Sequence, residues 1–391
     1  MEMTQAQLTA LVENAVKNFI EAGAFAPPKP VAETVVAPSQ LRADVRSLST
    51  KEAGLGFGRV MRALIGGGGT VAGARNFAQT AWGDGEDSIV QKLLIVGSDP
   101  SGGFLVPDEL SNIFIDLLMP YSVVRNMGPT VLPMPSGNLS LNGGLTGPTA
   151  YYIGETDAIT PSSATFRRVN LSAKKLVALV PISNDLIRTS SPKADAVVSK
   201  WLFQTMANRE DLAFIRGDGA VNTPQGLLNL GGNTTAQTGV TVANVATDLA
   251  LMKLAMRQAN LNMTNPGFLM SPRSESFLEN LKDGTNGWPY RESMTQGKVG
   301  AYPYAVTTQI PETLGGGTES EVYFVNFDDV IIGDTMNVKM DVSSEASYVD
   351  GATTRSAFQN DLTLLRTIAE HDINVQHTDA IYVLTGVTWG A

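Results

Sequence analysis

The chain has 391 residues, a formal net charge of −10 and no cysteine, and 17% of its residues are charged. Its length allows a large core and two or three domains. The lack of cysteine excludes disulfides and thiolate metal sites, and the acidic balance argues against a protein that reads nucleic-acid sequence.

The charge is distributed unevenly along the chain. Residues 1–98 carry 9 basic and 9 acidic side chains, so the excess of acid lies in residues 99–391, with 19 basic against 29 acidic. The first residues lack the basic start of a secretory signal, and no apolar run approaches the roughly 20 residues that span a bilayer. We therefore expect a soluble protein, made inside a cell and without contact to a membrane.

Residues 4–22 predict the most regular amphipathic helix of the chain. Thr4-Gln5-Ala6-Gln7 has the spacing of a capping box, and apolar residues then hold one helical face up to Gly23. Prolines between residues 27 and 38 place this helix on an extended tether. Two interpretations remain open, because its apolar stripe can dock on another subunit or partner, or on the body of its own chain.

The next elements run from residue 49 to residue 132. A second capping box, Ser49-Thr50-Lys51-Glu52, precedes a helical pattern that ends at Ile65. The glycines 66–69 lack the Lys-Ser/Thr ending of a Walker loop, so they predict a flexible hinge and not a phosphate cradle. Residues 108–118 then predict a helix, and Val123-Val124 and residues 130–132 predict short strands.

Residues 133–181 predict a long polar hairpin, and a long helix follows it. Ser190-Ser191-Pro192 supplies a cap and a proline for the first helical position, and the helix ends at Gly217-Asp218-Gly219, where we expect positive φ at both glycines. The apolar positions that recur at helical spacing in this helix are Val198, Trp201, Leu202, Met206, Leu212, Ala213 and Ile215.

The remainder alternates short helices and strands. Helical patterns cover residues 249–259 and 274–281, and an exposed loop with the aromatic anchor Trp288-Pro289-Tyr290 is predicted over residues 282–300. Short apolar runs predict strands at residues 268–272, 322–325, 330–333, 362–366 and 381–384.

Several local motifs together resemble the major capsid proteins of tailed bacteriophages of the Hong Kong 97 type. They stand in family order between about residues 99 and 384, and they are specific only in combination. The motifs are Gly102-Gly103-Phe104-Leu105-Val106-Pro107, Val131-Leu132-Pro133-Met134-Pro135-Ser136-Gly137, Leu179-Val180-Pro181-Ile182-Ser183-Asn184, Glu210-Asp211 through Gly219, Thr223-Pro224-Gln225-Gly226-Leu227-Leu228, and Ala301-Tyr302-Pro303 followed by Ile310-Pro311.

The resemblance implies an α+β fold of the Hong Kong 97 type, with a peripheral domain that carries a long spine helix, an axial domain, an extended β-hairpin arm and an N-terminal arm. The domains expected from it are an N-terminal arm or scaffold-like region 1–98, a first peripheral part 99–132, the arm 133–181, the spine helix 182–230, the axial domain 231–340 with its exposed loop 282–300, and a return to the peripheral domain in 341–391.

The resemblance further implies a structural protein of the virion, assembled in the host cytoplasm into an icosahedral head around double-stranded DNA. Its expected partners are itself in hexamers and pentamers, a portal protein, scaffolding, protease or decoration proteins, and packaged DNA by non-specific contact. The expected subunit-contact residues are Leu11, Val12, Phe19, Tyr151, Tyr152, Phe166, Arg167, Arg168, Trp288 and Tyr290.

Two rival functions were weighed against this one. An encapsulin-like compartment shares the fold but typically lacks a 98-residue N-terminal extension. A hydrolase would use Asp328, Asp329 or Glu370 with His371, yet no nucleophile elbow is present. His371 and His377 share a face of a predicted strand, with Asp379 nearby, but no third nitrogen or sulfur ligand accompanies them. We therefore predict no enzyme activity, no cofactor and no metal.

Some relatives in this family join neighbouring subunits by an isopeptide bond between lysine and asparagine. Asn360 stands in about the corresponding region, and Glu370 is an imperfectly placed candidate for the assisting carboxylate. The arm, however, has no lysine from Gly143 to Val169, and Lys174 and Lys175 lie on its return strand near the body. We therefore predict that the arm holds its neighbour by non-covalent contacts.

Overall fold

The computed structural model describes residues 59–68, 70–83, 104–105, 118, 121–146, 152, 165–185, 192–335 and 338–391. All of them belong to one of the two compact units of the chain, Leu48–Ala391. The helix predicted for residues 4–22 lies outside the described residues, and so does the helix predicted for residues 108–118, apart from the buried Leu118.

The α-helices of the described residues lie between residues 59 and 295. Residues 59–66 are helical, and none of the helices within the described residues combines the length and apolarity needed to cross a bilayer. The other helices are α1 Val71–Trp82, α2 Val123–Asn126, α3 Pro192–Arg216, α4 Leu227–Leu230, α5 Val242–Gln258, α6 Pro272–Asn280 and α7 Arg291–Thr295.

The strands of the described residues are numbered in chain order. They are β1 Phe104–Leu105, β2 Thr130–Pro133, β3 Asn138–Thr146, β4 Thr165–Ser172, β5 Lys174–Ser183, β6 Asn233–Ala236, β7 Pro266–Met270, β8 Lys298–Val299, β9 Tyr302–Val306, β10 Ser320–Asn326, β11 Val330–Asp334, β12 Lys339–Ser343, β13 Ser347–Asp350, β14 Thr353–Ser356, β15 Leu362–Val375 and β16 Ile381–Val387.

Two six-stranded sheets form the framework of the described residues. The first sheet has the order β1-β12-β15-β11-β2, and β5 pairs with the same central strand, β15. The second sheet has the order β6-β16-β10-β7-β9-β8. Two separate ribbons, β3–β4 and β13–β14, lie outside both sheets.

The second sheet is covered by helices on both faces. Leu249 of α5 clusters with Phe268 on one face, and Phe214 of α3 clusters with Tyr323 on the other. Strand β10 is consequently buried at every position. A strand with two covered faces reads as a continuous apolar run, which is why residues 322–325 were recognisable as a strand in the sequence.

The long helix α3 confirms the main helical prediction. It spans 25 residues and begins at Pro192, whose missing N–H and fixed φ suit the first helical position. Leu202, Met206 and Ile215 of its predicted apolar face are buried. Trp201 belongs to the same predicted face, yet 64% of it is exposed.

The turn after α3 needs both of its glycines, but for different reasons. Gly219 has φ +71°, as predicted, whereas Gly217 does not have positive φ. A Cβ atom at Gly217 would lie 2.1 Å from the carbonyl oxygen of Pro224. The prediction of positive φ at Gly217 is therefore wrong, because the close approach of two backbone segments is what excludes a side chain there.

Residues 123–126 form the short helix α2 and not the predicted strand. The β-branched valines favour a strand by propensity. Ser122 caps the helix by accepting a hydrogen bond from the backbone of Arg125, and the Asp211 carboxylate accepts from Val123 and Val124. These long-range acceptors satisfy the free N–H groups of the first turn and override the propensity.

The predicted hairpin of residues 133–181 is interrupted near its base. Strand β4 ends at Ser172, whose N–H donates to the Asp372 carboxylate at 2.7 Å, and Ala173 donates to the carbonyl of Gly137 at 2.8 Å. Strand β5 then pairs with β15 in the first sheet. The ribbon therefore consists of β3 and β4 alone.

The chain crosses between the two sheets more often than the predicted segments imply. Strands β11 and β12 lie in the first sheet although most of residues 231–340 builds the second, and β16 pairs with β10 and β6 of the second sheet. The predicted return to the peripheral domain in 341–391 includes both residues 362–366 and residues 381–384, but these belong to strands of different sheets, β15 and β16. Each strand joins the sheet of its pairing partner, and that partner is distant in sequence.

The glycine run after residue 65 joins two helical segments at close range. A Cβ atom at Gly67 would lie 2.1 Å from the backbone nitrogen of Ala74, and one at Gly73 would lie 2.1 Å from the carbonyl oxygen of Gly67. Helix α1, which the sequence did not predict, begins here with Thr70 as its cap. Gly67 and Gly73 thus permit a tight backbone contact, which is a reason for glycine at residue 67 other than the hinge predicted for residues 66–69.

Candidate subunit-contact surfaces

A buried group of charges fixes α3 to the first sheet. Arg125 of α2 donates from Nη1 and Nη2 to both oxygens of Asp334, at 2.8 and 2.9 Å, and from Nε to Glu210 at 2.8 Å. The three side chains are at most 4% exposed. Arg125 is thus paired with two carboxylates, and these charge-assisted hydrogen bonds offset part of the desolvation of the cluster.

Asp211 adds a second connection between α3 and α2. Its carboxylate accepts hydrogen bonds from the Ser122 hydroxyl at 2.8 Å and from the backbone of Val123 and Val124 at 2.7 and 3.2 Å. Burial nevertheless raises the pKa of Asp211 to about 6, against the opposing effect of these donors. The carboxylate therefore changes protonation in weakly acidic solution.

The two histidines occupy separate places and do not form a pair. His371 is buried against Phe214, with ring centroids 5.0 Å apart, and its Nδ1 lies 3.8 Å from Glu210 Oε1. His377 follows the end of β15, and its Nδ1 lies 2.9 Å from Asp329 Oδ1. Across the described ranges, no group of three metal-ligating side chains comes together.

Asp328, Asp329 and Asp334 are close together in the sequence, but the structure gives Asp329 and Asp334 different partners. Asp334 belongs to Arg125, while Asp329 binds His377 and accepts from Asn326 Nδ2 at 2.6 Å. Asp329, one of the residues considered for the hydrolase alternative, thus has a local structural partner, and so does Asp334.

The far end of α3 is anchored on the second sheet. Arg216 Nε lies 3.3 Å from Glu321 Oε2, and the hydroxyl of Tyr323 donates to the same oxygen at 2.6 Å. Burial, together with the negative charge of Glu321, raises the pKa of Tyr323 well above its usual range. Helix α3 is therefore held to both sheets by buried polar contacts as well as by apolar packing.

The ribbon β3–β4 carries three of the predicted contact residues, Phe166, Arg167 and Arg168, all on β4. Arg167 is half-buried and Arg168 is exposed, and Phe166 lies opposite Gly144 in the strand register. Tyr152 is fully exposed, whereas Tyr151 falls outside the described residues. At its base the ribbon packs on the body, where Leu171 is buried with Met134 and Ile331.

The loop around Trp288 is a compact surface feature. Asp283 accepts hydrogen bonds from Thr285 and from the backbone of Gly287, and these bonds, led by that from the Thr285 hydroxyl, lower the pKa of Asp283. Trp288 is 43% exposed, with Lys282 5.4 Å and Arg291 4.9 Å from its ring centroid.

The remaining predicted contact residues have different positions. Tyr290 is half-buried, and burial raises the pKa of its hydroxyl. Leu11, Val12 and Phe19 lie outside the described residues. The structure thus gives surroundings for Tyr290 and leaves the N-terminal candidates as predictions.

Two exposed apolar grooves were not predicted. The first, of about 620 Å³, runs between β5 and α3 and includes the exposed residues Val177, Leu179 and Trp201. The second, of about 710 Å³, lies on the outer face of α5 and includes Leu251 and Leu254. The sequence did contain a signal for these grooves. Each of β5, α3 and α5 has apolar residues on two faces, and the face that is not in the core indicates a second contact surface.

Comparison with known proteins identifies a family over most of the chain. Residues 102–386 match the profile of the phage capsid family. The chain is 35% identical over 367 residues to the major capsid protein of Klebsiella oxytoca phage phiKO2, covering 92% of this chain and 84% of that one. It is 29% identical over 409 residues to the capsid polyprotein of Pseudomonas phage PAJU2, covering 93% and 60%.

Solved structures share the fold at lower identity. A chain from Mycobacterium phage Adephagia matches with a TM-score of 0.53 and 16% identity, over 68% of this chain and 89% of that one. The capsid of an empty GTA particle matches with a TM-score of 0.52 and 16% identity, over 68% and 89%. The predicted α+β fold of the Hong Kong 97 type is confirmed.

The family match and the identity to a curated relative cover the same region that holds the two sheets, α3 and the ribbon. This chain therefore belongs to the phage capsid family, and it is a structural protein of a phage head.

Proposed function

We propose that many copies of this chain assemble through hexamers and pentamers into a closed icosahedral shell around double-stranded DNA, as the major capsid protein of the particle. The observation that carries this proposal is the 35% identity, over 92% of the chain, to a relative with that name. The protein acts through its geometry and catalyses no reaction. Assembly takes place in the host cytoplasm.

The ribbon β3–β4 supports this function because it is built to reach beyond its own subunit. Its base is anchored through Leu171, while Arg168 and Tyr152 further out are exposed. The basic pair Arg167-Arg168 complements the acidic body of residues 99–391. In a shell each such contact repeats in every subunit, so weak contacts add up to a stable assembly.

The two sheets correspond to two parts of the subunit in this proposal. The first sheet with α3 forms the peripheral domain, and the second sheet with α5, α6 and α7 forms the axial domain near the capsomer centre. The Trp288 loop, with Tyr290, contacts a neighbour there. The stripe of Leu11, Val12 and Phe19 docks on another subunit or partner during assembly.

Other partners follow from the same function. A portal protein, scaffolding or decoration proteins and a protease act on the shell or join it. DNA inside the shell is contacted through its phosphates without sequence readout, since the chain is acidic and carries no dense basic stripe.

The direct test is the size of the purified protein. Expressed alone, the chain is expected to form hexamers, pentamers or shells of megadalton mass, visible by light scattering and electron microscopy, because its exposed arm and grooves are poorly satisfied in a monomer. A monomer that persists at high concentration, or a small oligomer with hydrolase activity, would contradict the proposal.

A further inference from the structure

The loop after α3 presents one apolar side chain under backbone strain. Val221 is 88% exposed and has φ +48°. The N–H of Thr223 donates to the carbonyl of Ala220 at 3.0 Å, which closes a turn around Val221 and Asn222. Val221 is the first central residue of this turn and has positive φ, whereas Asn222, the second, does not. This is the pattern of a type II′ turn, which prefers glycine at the first central position. A β-branched residue there is strained.

The strain is held by a rigid base. Gly226 donates its N–H to the carbonyl of Gly217 at 2.9 Å, and Asn229 Nδ2 donates to the same oxygen at 2.6 Å. Asp218 and Gln225 face each other in an isolated antiparallel bridge. The segment 217–226, called the Val221 loop below, is thus a preformed projection. Strained residues that persist on a rigid support are typical of functional sites.

The outer face of α5 offers a complementary groove. Leu254 is 48% exposed and Leu251 39%, beside the small side chains of Ala246 and Ala250. Tyr302 of β9 closes one side of this groove. An aliphatic side chain such as that of Val221 fits these apolar walls.

The two surfaces also match in charge. Lys253 and Arg257 line the α5 groove, and Arg257 Nη2 donates to the Tyr302 hydroxyl at 3.1 Å. The Val221 loop carries the exposed carboxylate of Asp218 and no basic residue. Apolar contact at the centre with opposite charges at the rim is the usual composition of a specific interface.

We propose that the Val221 loop of one subunit docks in the α5 groove of a second copy. Both surfaces are exposed in one chain, so they do not satisfy each other internally. Because they are different surfaces of the same chain, the contact is heterologous and repeats around a ring. The inference rests on the proposed shell function and names one contact within it.

The first test uses the absence of cysteine from the chain. In particles of the double variant Val221→Cys and Leu254→Cys, oxidation is expected to link neighbouring subunits into disulfide ladders that reduction removes, because docking brings the two positions within disulfide range. The matched control is Val349→Cys with Leu254→Cys, since Val349 is 71% exposed and lies on β13, outside the Val221 loop. Equal cross-linking of the two variants, or none in either, overturns the proposal.

The second test is Val221→Gly. Glycine suits the turn, so the unassembled subunit is expected to be at least as stable as the parent, while the concentration needed for assembly rises roughly tenfold through the lost apolar contact. A purely structural valine would leave assembly unchanged or improved, and that result overturns the inference. Assembled particles of the Val221→Cys and Leu254→Cys variant that form no cross-links overturn the docking contact but leave the shell function standing, whereas a parent chain that never assembles overturns both.

Discussion

At the scale of single residues, the chain places more buried negative charge than positive charge beside α3. Arg125 faces Glu210 and Asp334, and Asp211 lies next to them without a cation of its own. Glu210 Oε2 also lacks a hydrogen-bond partner. Burial favours the neutral form of a carboxyl group that has no cation of its own. Asp211 is therefore a group whose contribution to stability should change in mild acid.

The first residue-scale prediction concerns Asp211. Burial raises its pKa in the folded chain to about 6, above the value of 3.8 for a free side chain. The folded state then binds more protons than the unfolded state, so this group's contribution is fully present below pH 3.8 and is lost as the pH rises through about 6. The expected loss is up to about 3 kcal/mol between those limits.

The measurement is the unfolding free energy of unassembled subunits from pH 4 to 7, compared between the parent and Asp211→Asn. The parent should lose stability relative to the variant as the pH rises, since asparagine does not titrate. Asp218→Asn is the control, because Asp218 is exposed. Parallel pH profiles for the parent and Asp211→Asn would show that Asp211 does not hold this proton.

At the scale of elements, α3 connects the two sheets. Arg125 and Asp334 fix it to the first sheet through Glu210, and Glu321 of the second sheet receives Arg216 at its end. The contact of Arg216 with the second sheet requires the helix to end at a fixed position. The close approach of the Gly217 and Pro224 backbones fixes that end.

We predict that Gly217→Ala and Gly219→Ala differ in severity. At Gly217 the new Cβ meets two backbone oxygens, at 2.1 and 2.5 Å, so unfolding free energy should fall by about 3 kcal/mol or more. At Gly219 the nearest contact is a side chain at 3.3 Å, and the left-handed backbone alone should cost about 1 kcal/mol.

Gly316→Ala is the matched control, since nothing lies within 4 Å of its Cβ position and its φ is not positive. Chemical denaturation of unassembled subunits measures all three variants. If Gly217→Ala is no less stable than Gly316→Ala, the backbone contact with Pro224 does not define the helix end.

At the scale of the whole molecule, the arm and the body determine whether neighbouring subunits can be joined covalently. An isopeptide bond between arm and neighbour requires a lysine amine that can lose its proton. The arm has none between Gly143 and Val169. Lys175 lies on β5 in the first sheet, 3.8 Å from Glu370, and Asn360 Nδ2 donates to the carbonyl of Ser356 at 2.8 Å.

Mature particles are therefore expected to separate into single chains in hot detergent, at the full mass or at a smaller mass if the N-terminal region is cut. Denaturing gel electrophoresis of purified particles checks this. A control with a chemical amine cross-linker should give the ladder that the untreated sample lacks. A ladder of dimers, pentamers and hexamers without cross-linker would contradict the argument.

The sequence by itself determined the family, the long helix and three of the six strands of the second sheet, β7, β10 and β16. Pro192 and the apolar residues that follow it specify α3 locally. The strands around Phe268 and Tyr323 are also visible as local apolar runs, because both faces of their sheet are covered. Such signals lie within a few residues of the element that they specify. For the same reason, local motifs between about residues 99 and 384 carried the family resemblance, and the family profile matches residues 102–386.

Tertiary structure alone decided what depends on partners distant in sequence. Arg125 meets Asp334 across 209 residues, and Asp211 turns a pair of valines into the start of a helix. Strand β16 joins the second sheet by pairing with β10, and no local pattern states which sheet a strand enters. The exposure of Trp201 and the positive φ of Val221 likewise follow from what surrounds them. Propensity and periodicity describe one segment at a time, whereas buried ion pairs, hydrogen bonds and strand pairings form only between segments.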